Sequence, residues 1–115
     1  MKYNSDFRYD LQVGQIGEQY LSNILSNELI EVKTDYQAAQ TGNVFVEYQS
    51  RNKDSGILTT QAKWYCFIIS NEKLFFITTL ELKKLCRTYL NTKRDVKGGD
   101  SNTSLGILLP LTDLL

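Results

Sequence analysis

The chain has 115 residues, 42% of them apolar and 11% aromatic, with 13 basic and 13 acidic side chains and no net charge. That describes one domain of ordinary globular composition, without the bulk charge of a polyanion binder. Histidine is absent, which excludes Ser-His-Asp and Cys-His nucleophilic catalysis, zinc sites built on His, and any hydrolysis that relies on a His base. Cys66 and Cys86 cannot make a four-Cys zinc site or a disulfide framework, and they read as buried reduced thiols. No apolar run reaches the roughly 18 residues of a membrane helix. The opening, from Met1 to Asp6, lacks the apolar stretch of a signal peptide. A soluble, cytoplasmic protein without membrane association is expected.

Residues 8–26 read as a helix, because Leu11, Ile16, Tyr20, Leu21, Ile24 and Leu25 recur at near-helical spacing. Gly14 and Gly17 each weaken it by roughly 1 kcal/mol relative to Ala, and fit better as points of close backbone approach beside Glu18. Residues 28–34 alternate as a strand, with Ile30 and Val32 toward the core and Glu31, Lys33 and Asp35 on the other face. A polar loop from Gln37 to Gly42 precedes a second strand over 43–51, where period two gathers Phe45, Glu47, Gln49 and Arg51 on one face. A turn over 52–56 follows, then a short helix from Thr59 or Thr60 through Tyr65. Apolar runs over 66–70 and 73–79 meet at Asn71-Glu72 as a β-hairpin. Residues 80–90 form an amphipathic helix with Leu82, Leu85, Cys86, Tyr89 and Leu90 inward. The stretch 91–104 is polar and without pattern, and longer than a usual loop. A final strand covers 105–111, where Pro110 favours a sheet edge or strand end. The expected order is α-β-β-α-β-β-α-β in a single α/β domain spanning 1–115.

Glu18, Asp35 and Glu47 fall near one point of such a core. Clustered carboxylates repel one another and are costly to hold together, and Mg²⁺ takes oxygen ligands of this kind. Asp35 and Glu47 on neighbouring strands supply two ligands and the main-chain carbonyl of Tyr48 a third. Glu18 binds a second ion or orients a water. A bound ion lowers the pKa of its water and stabilises charge on a phosphorane-like transition state. The pattern therefore points to metal-assisted phosphodiester hydrolysis. Asp35 also reads more plainly as a strand-end cap and Glu18 as a solvated helix charge. Charge is distributed unevenly: −4 over residues 1–50, +6 over 51–99 and −2 over the last 16. An acidic half beside a basic one suits a metal site next to a phosphate-binding surface.

A helix with Glu18, a strand ending in Asp35, a strand bearing Glu47-Tyr48-Gln49 and then a helix resemble the PD-(D/E)XK nuclease superfamily, most of all its small resolvase-like and phage-type branches. The likeness runs from about Val13 to Ile77. It implies a restriction-endonuclease-like core: a central mixed sheet of four to five strands flanked by helices. By this resemblance Asp35 is the first metal-binding Asp, Glu47 the acid of the E-x-K element, and Glu18 the helical Glu of the resolvase-like branches. Gln61-Ala62-Lys63-Trp64-Tyr65 corresponds to a Q-x-x-x-Y helix. Gln49 departs from the pattern, since most members have Lys there; an amide orients a water or phosphate but carries no charge. Lys63 and Lys33 are the candidates to supply the missing cation. A competing register, with Glu31-Val32-Lys33 as E-x-K, needs an Asp at the end of an earlier strand, and only Asp6 and Asp10 lie upstream.

The implied activity is a Mg²⁺-dependent DNA endonuclease, with Mn²⁺ as substitute, in which Glu18, Asp35, Glu47, Gln49 and Lys63 act at the scissile bond. Expected nucleic-acid contacts are Lys33, Arg51, Lys53, Gln61 and Tyr65, with Lys93, Arg94 and Lys97 as a mobile basic arm beside Gly98-Gly99. Cutting both strands of double-stranded or branched DNA needs two sites, so a homodimer is expected. The alternatives are a non-catalytic nucleic-acid-binding module that keeps the fold, and a subunit of a larger complex.

Overall fold

The computed structural model describes residues 15–26 and 29–115. Helix α1 covers 15–26; the part of the expected helix before residue 15 lies outside the described residues. There follow β1 (Ile30–Thr34), α2 (Ala38–Thr41), β2 (Asn43–Ser50), β3 (Lys53–Asp54), a short 3₁₀ turn (Gly56–Leu58), β4 (Trp64–Ser70), β5 (Lys73–Thr78), α3 (Thr79–Arg87), β6 (Asp95–Gly98), β7 (Ser104–Pro110) and a closing 3₁₀ turn (Leu111–Leu114). This is an α/β fold with one mixed and one antiparallel sheet, flanked by helices.

Local chemistry accounts for many of these boundaries. Gly42 ends α2 at φ 76°, in the left-handed conformation that costs glycine nothing. Arg51 and Asn52 both have positive φ and form the two-residue turn between β2 and β3, a geometry whose twist matches that of the strands. Thr78 caps α3: its side chain accepts a hydrogen bond from the Glu81 amide at 3.2 Å, and Thr with Glu three residues on is a capping-box pattern. Leu82 and Cys86, four residues apart on α3, are buried together in the core. Pro110 is the last residue of β7, where a missing N–H is tolerated.

The order of the first sheet is β1-β4-β5, with β1 parallel to β4 and β5 antiparallel to it. The second is antiparallel, in the order β3-β2-β7-β6. Both face one core. Tyr65, Phe67 and Ile69 come from the first sheet, and Val44, Val46, Ile107 and Leu109 from the second. Ala38, Ile57, Leu82 and Cys86 complete it.

Several expectations change. The strands divide into two sheets instead of one of four or five strands, so β1, which precedes Asp35, and β2, which carries Glu47, are not hydrogen-bonded neighbours. Residues 59–63 are not helical; β4 begins at Trp64, because the aromatic and β-branched run from Trp64 to Ile69 favours an extended chain. The polar stretch 91–104 contains β6, held by its ladder to β7 and not by an apolar pattern. The facing of β1 is the reverse of that read from its alternation. Glu31 and Lys33 register with Tyr65 and Phe67, both core residues, whereas Val32 is 54% exposed.

Candidate functional site

The site depends on an irregularity in β2. Its ladder with β7 runs Phe45 to Leu108, Val46 to Ile107 and Glu47 to Gly106, and then steps to Gln49 with Leu105. Tyr48 is the extra residue of a β-bulge. Ladder partners share a face and successive residues of β7 alternate, so Glu47 and Gln49 are turned to opposite faces. The expectation that they share one fails here. The bulge is pinned by its own side chain: the Tyr48 hydroxyl donates to Oδ1 of Asp95 at 2.6 Å, while Oδ2 of Asp95 accepts from the Asn91 amide at 2.9 Å. The bond to Asp95, with burial and the charge of Asp95 adding to it, pushes the Tyr48 phenol up to about 12. The Tyr48 carbonyl, expected as a metal ligand, accepts from the Ser55 amide at 3.0 Å.

Glu47 and Lys33 line one cavity of about 230 Å³ whose walls are Phe45, Tyr65 and Phe67. The Ser55 hydroxyl donates to Oε2 of Glu47 at 2.8 Å and so fixes the carboxylate. Gly56 allows this approach. It has φ +53°, and a Cβ there would lie 2.2 Å from the Glu47 carbonyl oxygen, so only glycine lets the segment after β3 lie against β2. Elsewhere on the same face Phe45 fills the space that Gly106 and Gly98 leave empty. Tyr65 is buried; burial first, and then the nearby Glu31, push its phenol up to about 12, against the opposing hydrogen bond with Thr60. At neutral pH it is therefore a hydrogen-bond donor and not a base.

Asp35 follows β1 two residues after Lys33. Its amide donates to the Ile68 carbonyl at 2.9 Å, and its Oδ1 accepts from the Ala38 amide at 3.2 Å, as a strand-end cap does. It does not line the Glu47 cavity. Glu18 lies exposed on α1. Among the described residues no group of three or more His, Cys, Asp or Glu is gathered as a cation site. Mg²⁺ needs fewer, since it takes one or two carboxylates with waters and substrate phosphate. Oε1 of Glu47 and Oδ2 of Asp35 accept no hydrogen bond among the described residues. Each is a hard oxygen donor of the right kind.

The remaining candidates are scattered. Lys63 lies just before β4; its amide donates to the Leu29 carbonyl, and its own carbonyl accepts from the Thr79 amide. It does not line the Glu47 cavity. Gln61 is exposed in an irregular stretch and Tyr65 is buried in β4, so the two share no helical face. Arg51 and Lys53 are exposed at the turn after β2. Arg94 works inside the fold. Its Nη1 donates to Oδ1 of Asn43 at 2.7 Å and to the Leu108 carbonyl at 2.9 Å, with the guanidinium 5.7 Å from the Tyr89 ring centroid. Lys93 and Lys97 are exposed, Lys97 on β6. Burial pushes the thiols of Cys66 and Cys86 upward, Cys86 to about 12, so neither is a nucleophile. A larger cavity, about 340 Å³, lies under α3; Val46, Ile57, Leu90 and Ile107 line it with Lys83 and Arg87, and among the described residues no carboxylate does.

Sequence reasoning missed Ser55 and Gly56, which set the Glu47 carboxylate. The only signal was a Ser-Gly pair in a turn shortly after a strand acid. No helix among the described residues is long and apolar enough to cross a membrane. Compared with protein-family models, with curated proteins and with solved structures, the chain matches none.

Proposed function

We propose that this chain is a Mg²⁺-dependent DNA endonuclease, with Mn²⁺ as substitute, whose centre is the cavity between Lys33 and Glu47. One observation carries the reading. A carboxylate and a lysine from strands of two different sheets line the same aromatic-walled cavity, and Ser55 holds the carboxylate in position. Glu47 would hold the ion together with waters and substrate phosphate, and the bound ion would supply Lewis-acid stabilisation and an activated water; the second carboxylate expected from sequence, Asp35, lies outside the lining of this cavity. Lys33 offsets charge growing on the phosphoryl oxygens, the role that Lys plays in the E-x-K pattern and that Gln49 cannot fill. Phe45 and Phe67 form apolar walls beside these charges, and Tyr65 is available to donate a hydrogen bond. Glu18 as ligand or orienter of a second ion, a homodimer with two such centres, and a restriction-endonuclease-like ancestry of the element order all belong to this proposal.

The test is cleavage of supercoiled plasmid, branched junctions and single strands by the purified chain, with Mg²⁺, with Mn²⁺ and with chelator. Cleavage should require the ion, and Glu47→Gln should lose at least about 10²-fold in rate, the scale of one stabilising group at a charged transition state. Cleavage that persists in chelator, or a Glu47→Gln variant at the wild-type rate, refutes the reading. A non-catalytic nucleic-acid-binding module is favoured by a different observation. Gln49 leaves the Glu47 face and lines a separate polar pocket with Arg51 and Lys97. Binding without cleavage under every ion would establish that alternative.

A further inference from the structure

We infer that the pocket on the opposite face of β2 from Glu47 is an oxyanion site for a phosphodiester of a nucleic-acid backbone, with Gln49, Arg51, Asn52 and Lys97 as its donors. This rests on the nucleic-acid reading above but not on cleavage. The bulge at Tyr48 creates the pocket. Gln49 registers with Leu105 on β7, and Leu105 with Lys97 on β6, so the amide and the ammonium stand on one face with a single strand between them. The turn after β2 adds Arg51 and Asn52, and the Arg51 amide is tied to the Thr103 carbonyl at 2.9 Å. Asn102, at φ 54°, also lines the pocket.

The resulting cavity is about 260 Å³. Among the described residues its lining holds two cations and three side-chain amides but no carboxylate; Asp54, which registers with Gln49 from β3, is not part of it. The side chains of Arg51 and Lys97 make no hydrogen bond or ion pair among the described residues. An Arg fork, a Lys point charge and neutral amide donors are the groups that recognise phosphate oxygens. Both cations are exposed, so the site does not enclose a small ion. It suits a polyanion, whose affinity is driven by counterion release along its length.

The test is binding by the full chain to a short labelled DNA duplex, in chelator, across a salt series. Arg51→Gln with Lys97→Gln should weaken binding at least tenfold at low salt. It should also flatten the slope of log affinity against log salt by about two, close to 0.9 for each phosphate no longer neutralised. Gln49→Lys should tighten binding several-fold and steepen the slope by about one. Thermal melts establish that the variants are folded, and if the double variant is not, Gln49→Lys carries the test alone. Unchanged slopes overturn the inference. So does a pocket whose amide resonances at 49–52 and 97 move with inorganic phosphate but not with DNA, because that marks a small-phosphate site. A chain that binds through this pocket yet never cleaves refutes only the endonuclease reading. One that cleaves with salt slopes indifferent to these residues refutes only this inference.

Discussion

At the scale of single residues, the two lysines proposed from sequence are separated by position. Lys33 lines the cavity of Glu47, whereas Lys63 precedes β4 outside that lining. Single-turnover rates should therefore fall at least about 10²-fold in Lys33→Ala and by clearly less in Lys63→Ala. The reverse order would return the cationic role to Lys63. Gly56 is the other residue on which the cavity depends. Gly56→Ala places a methyl against the Glu47 carbonyl oxygen and forces alanine to φ +53°. It should destabilise the fold by at least about 1–3 kcal/mol, the range for overpacking. Chemical denaturation measures the loss; a neutral Gly56→Ala would mean that the segment after β3 does not lie against β2.

At the scale of elements, the bulge in β2 matters most. An uninterrupted strand would turn Glu47 and Gln49 to one face, and the extra residue sends them to opposite ones. One strand thereby serves two surfaces, with the Tyr48–Asp95 bond holding the irregularity to the start of β6. Helix α3 shows the opposite situation, an element that local chemistry alone defines. Thr78→Ala removes its cap and should cost about 1 kcal/mol, read as a lower denaturation midpoint with an unchanged slope. Disrupting the Glu81–Lys84 pair on the same helix, exposed and 3.4 Å apart, should cost far less.

At the scale of the whole molecule, pH acts from the alkaline side. The folded chain raises the Tyr48 and Tyr65 phenols from 10.0 to about 12 and the Cys86 thiol from 9.0 to about 12. A group with a raised folded pKa contributes stability that is fully present below its unfolded value and lost as pH rises through the folded one. With no histidine to titrate near neutrality, the melting temperature should decline between about pH 9 and pH 12. Tyr48→Phe should flatten part of that decline. A melting temperature constant to pH 11 would contradict the packing around these three groups.

The sequence by itself determined the local elements. The β4–β5 hairpin, the capped α3 with Leu82 and Cys86 inward, the start of β2 and the end of β7 at Pro110 all follow from periodicity, caps and turn residues acting over a few positions. It also marked Glu47 as a candidate metal ligand and Lys33 as a candidate cation. Only the tertiary structure decided how strands far apart in sequence pair, because that is set by long-range packing and leaves no periodic trace. Pairing β1 with β4 put Glu31 and Lys33 on the core side of the sheet, against the apparent alternation. Pairing β6 with β7 drew a strand out of a polar loop and turned Arg94 inward. The bulge at Tyr48 exists only relative to a partner strand, so period two could not foresee that Glu47 and Gln49 face apart.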